Sequence, residues 1–75
     1  MVTLDHDLGV PLHEQLADIL RARIKSGEYT GRLPSARHLA QEFEVSHRTS
    51  ETALKTLKAE GLVTSVVGKG YFVAR

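Results

Sequence analysis

The 75-residue chain contains no cysteine. Disulfide staples and thiolate zinc sites are therefore excluded, and a reducing compartment is the simplest setting for it. No apolar run approaches the ~20 residues of a membrane-spanning helix. The N-terminus carries Asp5 and Asp7 and lacks the apolar core of a secretory signal, so a cytoplasmic protein is expected. Four histidines, His6, His13, His38 and His47, are scattered along the chain. Their spacing does not suit metal ligation, and surface or capping roles are expected. There is no Walker loop and no G-x-S-x-G elbow, and Glu42, Glu44 and Glu51 have no apolar pocket around them to shift their acidity. No catalytic residue, metal or cofactor is expected.

Net charge is only +1, too small to indicate a partner by itself. Its distribution says more. Residues 1–30 carry three cations against five carboxylates, whereas residues 31–75, from Arg32 to Arg75, carry seven against four. This asymmetry points weakly to a polyanion on the C-terminal side. An ordinary mixed surface would look the same.

The residues present divide into helical and then strand-like stretches. Pro11 suits the first turn of a helix. From there Leu12, Leu16, Ile19, Leu20 and Ile24 recur at helical spacing, with Asp18, Arg21 and Lys25 facing away. Ser26-Gly27 ends this first helix, expected at about 11–26. Pro34 disfavours helix at Leu33, so residues 29–34 form a connector in which Arg32-Leu33 can add a short edge strand. Ser35 is a good N-cap for a second helix to about residue 43, with Leu39, Ala40 and Phe43 on its apolar face. Glu44-Val45 makes a tight turn. Ser46 caps a third helix reaching about Glu60, and Gly61 with Leu62 supplies its C-terminal stop. Leu62–Val66 and Tyr71–Ala74 are β-rich, separated by Val67-Gly68-Lys69-Gly70, which predicts a hairpin with a cationic tip.

Three helices followed by a hairpin, the second and third helices joined by a short turn, is the layout of a winged helix-turn-helix. The expected fold class is mainly α with a small β-hairpin (α+β). It forms one domain over residues 9–74, with the helix-turn-helix at about 35–55 and the wing at about 62–74. Such a motif sets its recognition helix, here about 46–60, in the major groove of DNA. On a wheel of about 100° per residue, Ser50, Ala53, Leu54 and Leu57 face inward. Arg48, Thr52 and Lys55 cluster on the opposite face, with Glu51 beside them and Thr49 on the other shoulder. Arginine can pair bidentately with guanine, and threonine can reach a base edge or a phosphate. At the wing, Gly68 and Gly70 let backbone approach a minor groove closely while Lys69 supplies charge. Arg37 is placed to reach a phosphate, and the amides at the helix starts capped by Ser35 and Ser46 are potential anion sites. The same face of a winged helix can instead meet an acidic protein. A winged-helix protein–protein interaction module is the alternative, and Glu51 in mid-face keeps it open.

Four stretches extend this reading to a family. They are Pro11–Gln15, Ile24–Tyr29 followed by Leu33–Ala40, Val45–Thr49 with Ala53-Leu54, and Glu60–Val63 with Gly68–Val73. Together they resemble the N-terminal DNA-binding domain of the GntR family of bacterial transcription regulators. The resemblance implies DNA contacts at Arg37, at Ser46, His47, Arg48 and Thr49, and at Gly68 and Lys69. It further implies a homodimer on a roughly palindromic double-stranded operator, commonly as a repressor. A small-molecule effector would act only through a C-terminal domain absent from this chain. Some GntR-like chains carry an aminotransferase-like domain at that place, and even there this segment would do no chemistry. The sequence departs from the family pattern at His47 and Glu51, where arginines are usual, and at Ser50, where a β-branched apolar residue is usual. The connector from Tyr29 to Leu33 is also shorter than usual. These departures make Arg48 the expected base reader, with Glu51 either accepting from a cytosine amino group or orienting Arg48.

Overall fold

A computed structural model describes Leu4 and residues 9–74. Asp5, His6, Asp7 and Arg75, which entered the readings above, lie outside the described residues. Three helices, α1 (Leu12–Lys25), α2 (Ala36–Phe43) and α3 (His47–Ala59), precede two strands, β1 (Val63–Val66) and β2 (Gly70–Val73). This is the expected winged helix-turn-helix, with element ends shifted by at most one residue.

The ends follow local chemistry. Pro11 stands one position before the first turn of α1, as its N-cap, with its carbonyl accepting from the amides of Glu14 and Gln15. The helix closes at Gly27 (φ 85°) with the paired bonds of a Schellman motif: Gly27 N–H to the Ile24 carbonyl and Glu28 N–H to that of Arg23. Ser35 Oγ accepts from the His38 amide at the start of α2, and Ser46 Oγ accepts from the Thr49 amide at the start of α3. α3 ends at Gly61 (φ 79°), where Gly61 N–H bonds the Lys58 carbonyl and Leu62 N–H that of Leu57. The bond from Leu62 turns the chain back, so that Leu62 packs against the core.

α1 and α2 both pack on α3, whose inner stripe of Ser50, Ala53, Leu54 and Leu57 is fully buried. Leu16 and Leu20 of α1, Leu39 of α2 and Val63 of β1 complete the centre. Ile19, Ile24 and Leu12 lie at its margin. His13 departs from a purely surface role. It falls on the shoulder of the α1 stripe, and its Nδ1 is buried without a hydrogen-bond partner among the described residues.

The hairpin is antiparallel, Val63 opposite Val73 and Val66 opposite Gly70. Gly70, expected in the turn, is therefore the first residue of β2. The other edge of β2 meets the α1–α2 connector. Arg32 bridges Phe72, Leu33 N–H donates to the Tyr71 carbonyl at 2.9 Å, and Val73 N–H donates to that of Gly31 at 2.8 Å. β2 is thus paired on both edges, and Leu33 is drawn into the core at 2 % exposure.

Two arginines of α1 fasten the other helices. Arg21, expected to face away, grips Glu60 at the end of α3 with two parallel bonds of 2.9 and 2.7 Å, while Asp18 takes a third bond at 2.6 Å. Arg23 donates to Tyr29 Oη at 2.7 Å and to Glu42 of α2 at 3.1 Å, and its guanidinium lies 5.2 Å from the Phe43 ring centre. That stacking adds a cation–π attraction to the ion pair.

Candidate nucleic-acid interface

The turn between α2 and α3 is three residues long. Glu44 takes the left-handed conformation (φ 54°, ψ 47°) that glycine usually supplies, and Val45 N–H bonds the Ala40 carbonyl across it. This sharp turn brings the capped start of α3 out of the body of the domain. Ser46, His47 and Arg48 are exposed there, Thr49 and Thr52 are half-buried, and Lys55 is exposed one turn further on. The inward and outward faces match the helical wheel.

The hydrogen bonds sort these residues. Thr49 Oγ1 lies 2.9 Å from Ser46 Oγ within the cap, and Thr52 Oγ1 donates to the Arg48 carbonyl at 2.9 Å. Both threonine hydroxyls are engaged within the helix, so they are less free to read a partner than their position suggests. Arg48 and Lys55 have no side-chain hydrogen-bond or ion-pair partner among the described residues, and the same holds for Arg37 in the first turn of α2 and for Lys69. Unpaired cations keep their full charge for an external anion, whereas Arg21 and Arg23 are neutralised inside the fold.

Glu51 corrects one expectation. Its carboxylate does not orient Arg48. Oε1 accepts from His47 Nε2 at 2.8 Å. The two residues are four apart, one helical turn, which places their side chains one above the other.

At the wing, Lys69 N–H bonds the Val66 carbonyl at 2.9 Å and closes a tight turn. Gly68 (φ 77°) and Gly70 (φ 103°) both occupy backbone conformations that L-residues rarely adopt. Lys69 is exposed at the tip. Val67 beside it is also fully exposed, an apolar side chain that the β-pattern alone does not place in solvent. Arg32 is a cation that sequence reasoning did not single out. Its Nε lies 3.7 Å from where a Cβ on Gly70 would sit, at the base of the wing. Their separation of 38 positions hides this proximity in the sequence. Lys58 Nζ donates to Ser65 Oγ at 2.9 Å and ties α3 to β1. Ser35 lies with Tyr29, Arg32, Leu33, Pro34 and His38 around a shallow groove of about 500 Å³.

Residues 12–73 match the profile of a family described as bacterial regulatory proteins, gntR family. The chain belongs to the gntR family. It is 40% identical over 74 residues to RB1450 of Rhizobium meliloti, named an uncharacterized HTH-type transcriptional regulator, covering 96% of this chain and 30% of that protein. It is 37% identical over 68 residues to the HTH-type transcriptional repressor NagR of Bacillus subtilis, covering 88% of this chain and 28% of NagR. The gntR-family chain thus spans less than a third of the length of these relatives. Among solved structures, AraR(DBD), in complex with operator ORR3, superposes with a TM-score of 0.84 at 30% identity, over 99% of this chain and 92% of that one. The fold of the gntR-family chain is that of the family's DNA-binding domains. No helix among the described residues is long and apolar enough to cross a membrane.

Proposed function

We propose that this chain binds double-stranded DNA sequence-specifically, as the operator-reading domain of a bacterial transcription regulator. The recognition helix enters the major groove and the turn 67–70 meets the minor groove. The observation that carries this reading is the set of cations without a partner among the described residues, Arg37, Arg48, Lys55 and Lys69, set on the second helix, the recognition helix and the wing of a winged helix-turn-helix. Arg48 reads a base edge. Arg37, Lys55 and Lys69 contact phosphates, joined by backbone amides at Ser35 and Ser46 and by close approach at Gly68 and Gly70. His47, Thr49 and Thr52 line the same surface. The domain spans residues 9–74 and carries out no reaction of its own.

For the full-length protein we propose a cytoplasmic homodimer on a roughly palindromic operator, acting as a repressor. A small-molecule effector works through a further, C-terminal domain. NagR, named a transcriptional repressor, supports the direction of control. Structures of AraR(DBD) with operators support the choice of DNA.

An amide chemical-shift titration with a generic duplex at low salt, repeated at high salt, tests the reading. Non-specific binding uses the phosphate-facing surface, so the operator need not be known. Shifts are expected at Arg37, residues 47–55 and residues 68–70, fading as salt rises. A duplex that produces no localised shift at low salt would overturn the DNA reading in favour of a protein partner, the alternative that the mid-face carboxylate of Glu51 keeps open.

A further inference from the structure

The His47–Glu51 pair is the feature of the recognition helix that general DNA affinity does not account for. A carboxylate on a face that meets phosphates weakens binding everywhere, so its presence there calls for a more specific use. We propose that Glu51 is a specificity-determining residue: positioned by His47, its carboxylate selects a base pair that offers an amino group in the major groove, cytosine above all. The inference rests on the DNA-binding reading and sharpens it.

The geometry favours this over a solvated surface pair. Glu51 has two helical neighbours at four residues, His47 before it and Lys55 after it. Glutamate preceding lysine by four is ordinarily the favoured ion pair. Glu51 nevertheless turns to His47, at 2.8 Å, while Lys55 has no ion-pair partner among the described residues. The carboxylate is thus held toward the N-terminal end of α3, the end that reaches base edges in this motif. An ionised carboxylate only accepts, so His47 donates from Nε2 and occupies Oε1. Oε2 has no hydrogen-bond partner among the described residues, and the Glu51 side chain is 45% exposed.

The chemistry of the groove then selects the base. Guanine presents two acceptors in the major groove and thymine one, and each would repel Oε2. Adenine presents an amino donor beside an acceptor. Cytosine presents an amino donor and no acceptor of its own. An oriented carboxylate loses less side-chain freedom on engaging that donor than a loose one. It also penalises operators that lack the donor, which makes it a device for discrimination more than for affinity.

Selection from a random-sequence duplex pool at low salt, using the chain as it stands, tests the proposal when wild type is compared with Glu51→Ala, Glu51→Gln and His47→Ala. Binding to one fixed unrelated duplex is measured in parallel. Wild type is expected to enrich a half-site with one column dominated by cytosine, by about 5- to 150-fold over other bases. Glu51→Ala is expected to flatten that column alone while binding the unrelated duplex more tightly. Glu51→Gln is expected to move the column toward adenine, whose edge an amide matches. His47→Ala is expected to broaden the column. A cytosine column that persists in Glu51→Ala overturns the proposal, as does a wild type that binds duplexes but enriches no cytosine column. Loss of every column together in both Glu51 variants also overturns it, because that marks a structural role. If wild type binds no duplex at all, the DNA-binding reading itself falls.

Discussion

Ser50 lies fully buried in the middle of the recognition helix, and its Oγ has no hydrogen-bond partner among the described residues. A buried hydroxyl without a partner costs about 1–3 kcal/mol, and alanine is also the better helix former. Ser50→Ala is therefore expected to stabilise the domain by about 1–2 kcal/mol, read as a higher urea midpoint at unchanged slope. A lower midpoint would mean that the hydroxyl has a partner in solution. Exposed residues separate by what they touch. Arg48→Ala is expected to cost about 1–3 kcal/mol on the preferred operator and much less on unrelated DNA, because a base contact carries sequence information. Lys69→Ala is expected to weaken all duplexes alike and to lower the salt dependence by about one counterion. Titrations of both variants at several salt concentrations distinguish the two patterns, and uniform weakening by Arg48→Ala would remove its base-reading role. Such side-chain roles were partly legible in the sequence. The wheel separated Arg48 and Lys55 from Ser50 and Leu54. It did not show that the hydroxyls of Thr49 and Thr52 are engaged inside the helix, because rotamers depend on neighbours.

Helices and strands are joined here by a few long-range polar clamps. Arg21 holds the Glu60 carboxyl below the usual carboxylate range, chiefly through their side-chain hydrogen bond, and so links α1 to the end of α3. Because the folded value is lowered, the pair favours folding wherever the unfolded chain's carboxyl is ionised. That gain is lost as acid protonates Glu60 in the folded state. Glu60→Gln is expected to lower the melting temperature slightly at neutral pH, the pair being exposed to solvent. The gap from wild type is expected to close as pH falls below the carboxylate range. A gap that stays constant across that range would show that the charge of Glu60 is not what matters. The ends of the elements were legible, since Ser35, Ser46, Gly27 and Gly61 act on amides and carbonyls within a few residues. The turn at Glu44 was legible in place but not in conformation, because a left-handed glutamate is tolerated only where the packing of α2 on α3 requires it.

The whole molecule depends on one small core centred on α3. Leu54 is completely buried there, and cutting it to alanine leaves a cavity with little room for the surroundings to collapse. Leu54→Ala is expected to cost about 2–5 kcal/mol, a large part of the roughly 5–15 kcal/mol that stabilises a typical domain. Thermal unfolding followed by circular dichroism measures it, and a loss below about 1 kcal/mol would place the centre of the core elsewhere. Since α1 and α2 both pack on α3, and Lys58 ties α3 to β1, such a change is also expected to loosen the wing.

The order of elements, their ends, the inward face of α3, the cationic wing tip and the resemblance to the GntR family all followed from the sequence by itself. Each rests on periodicity, on capping or on short motifs, which act over one or two turns of chain. The sequence offered Arg32-Leu33 as a short edge strand, but tertiary structure alone decided that its partner is β2, that Arg32 stands beside Gly70, and that Arg21 and Arg23 are paired within the fold. It also decided which neighbour Glu51 chooses. Spacing allowed His47, Arg48 and Lys55 alike, and only the packed helix, with its side chains in place, distinguishes among partners that the sequence leaves equivalent.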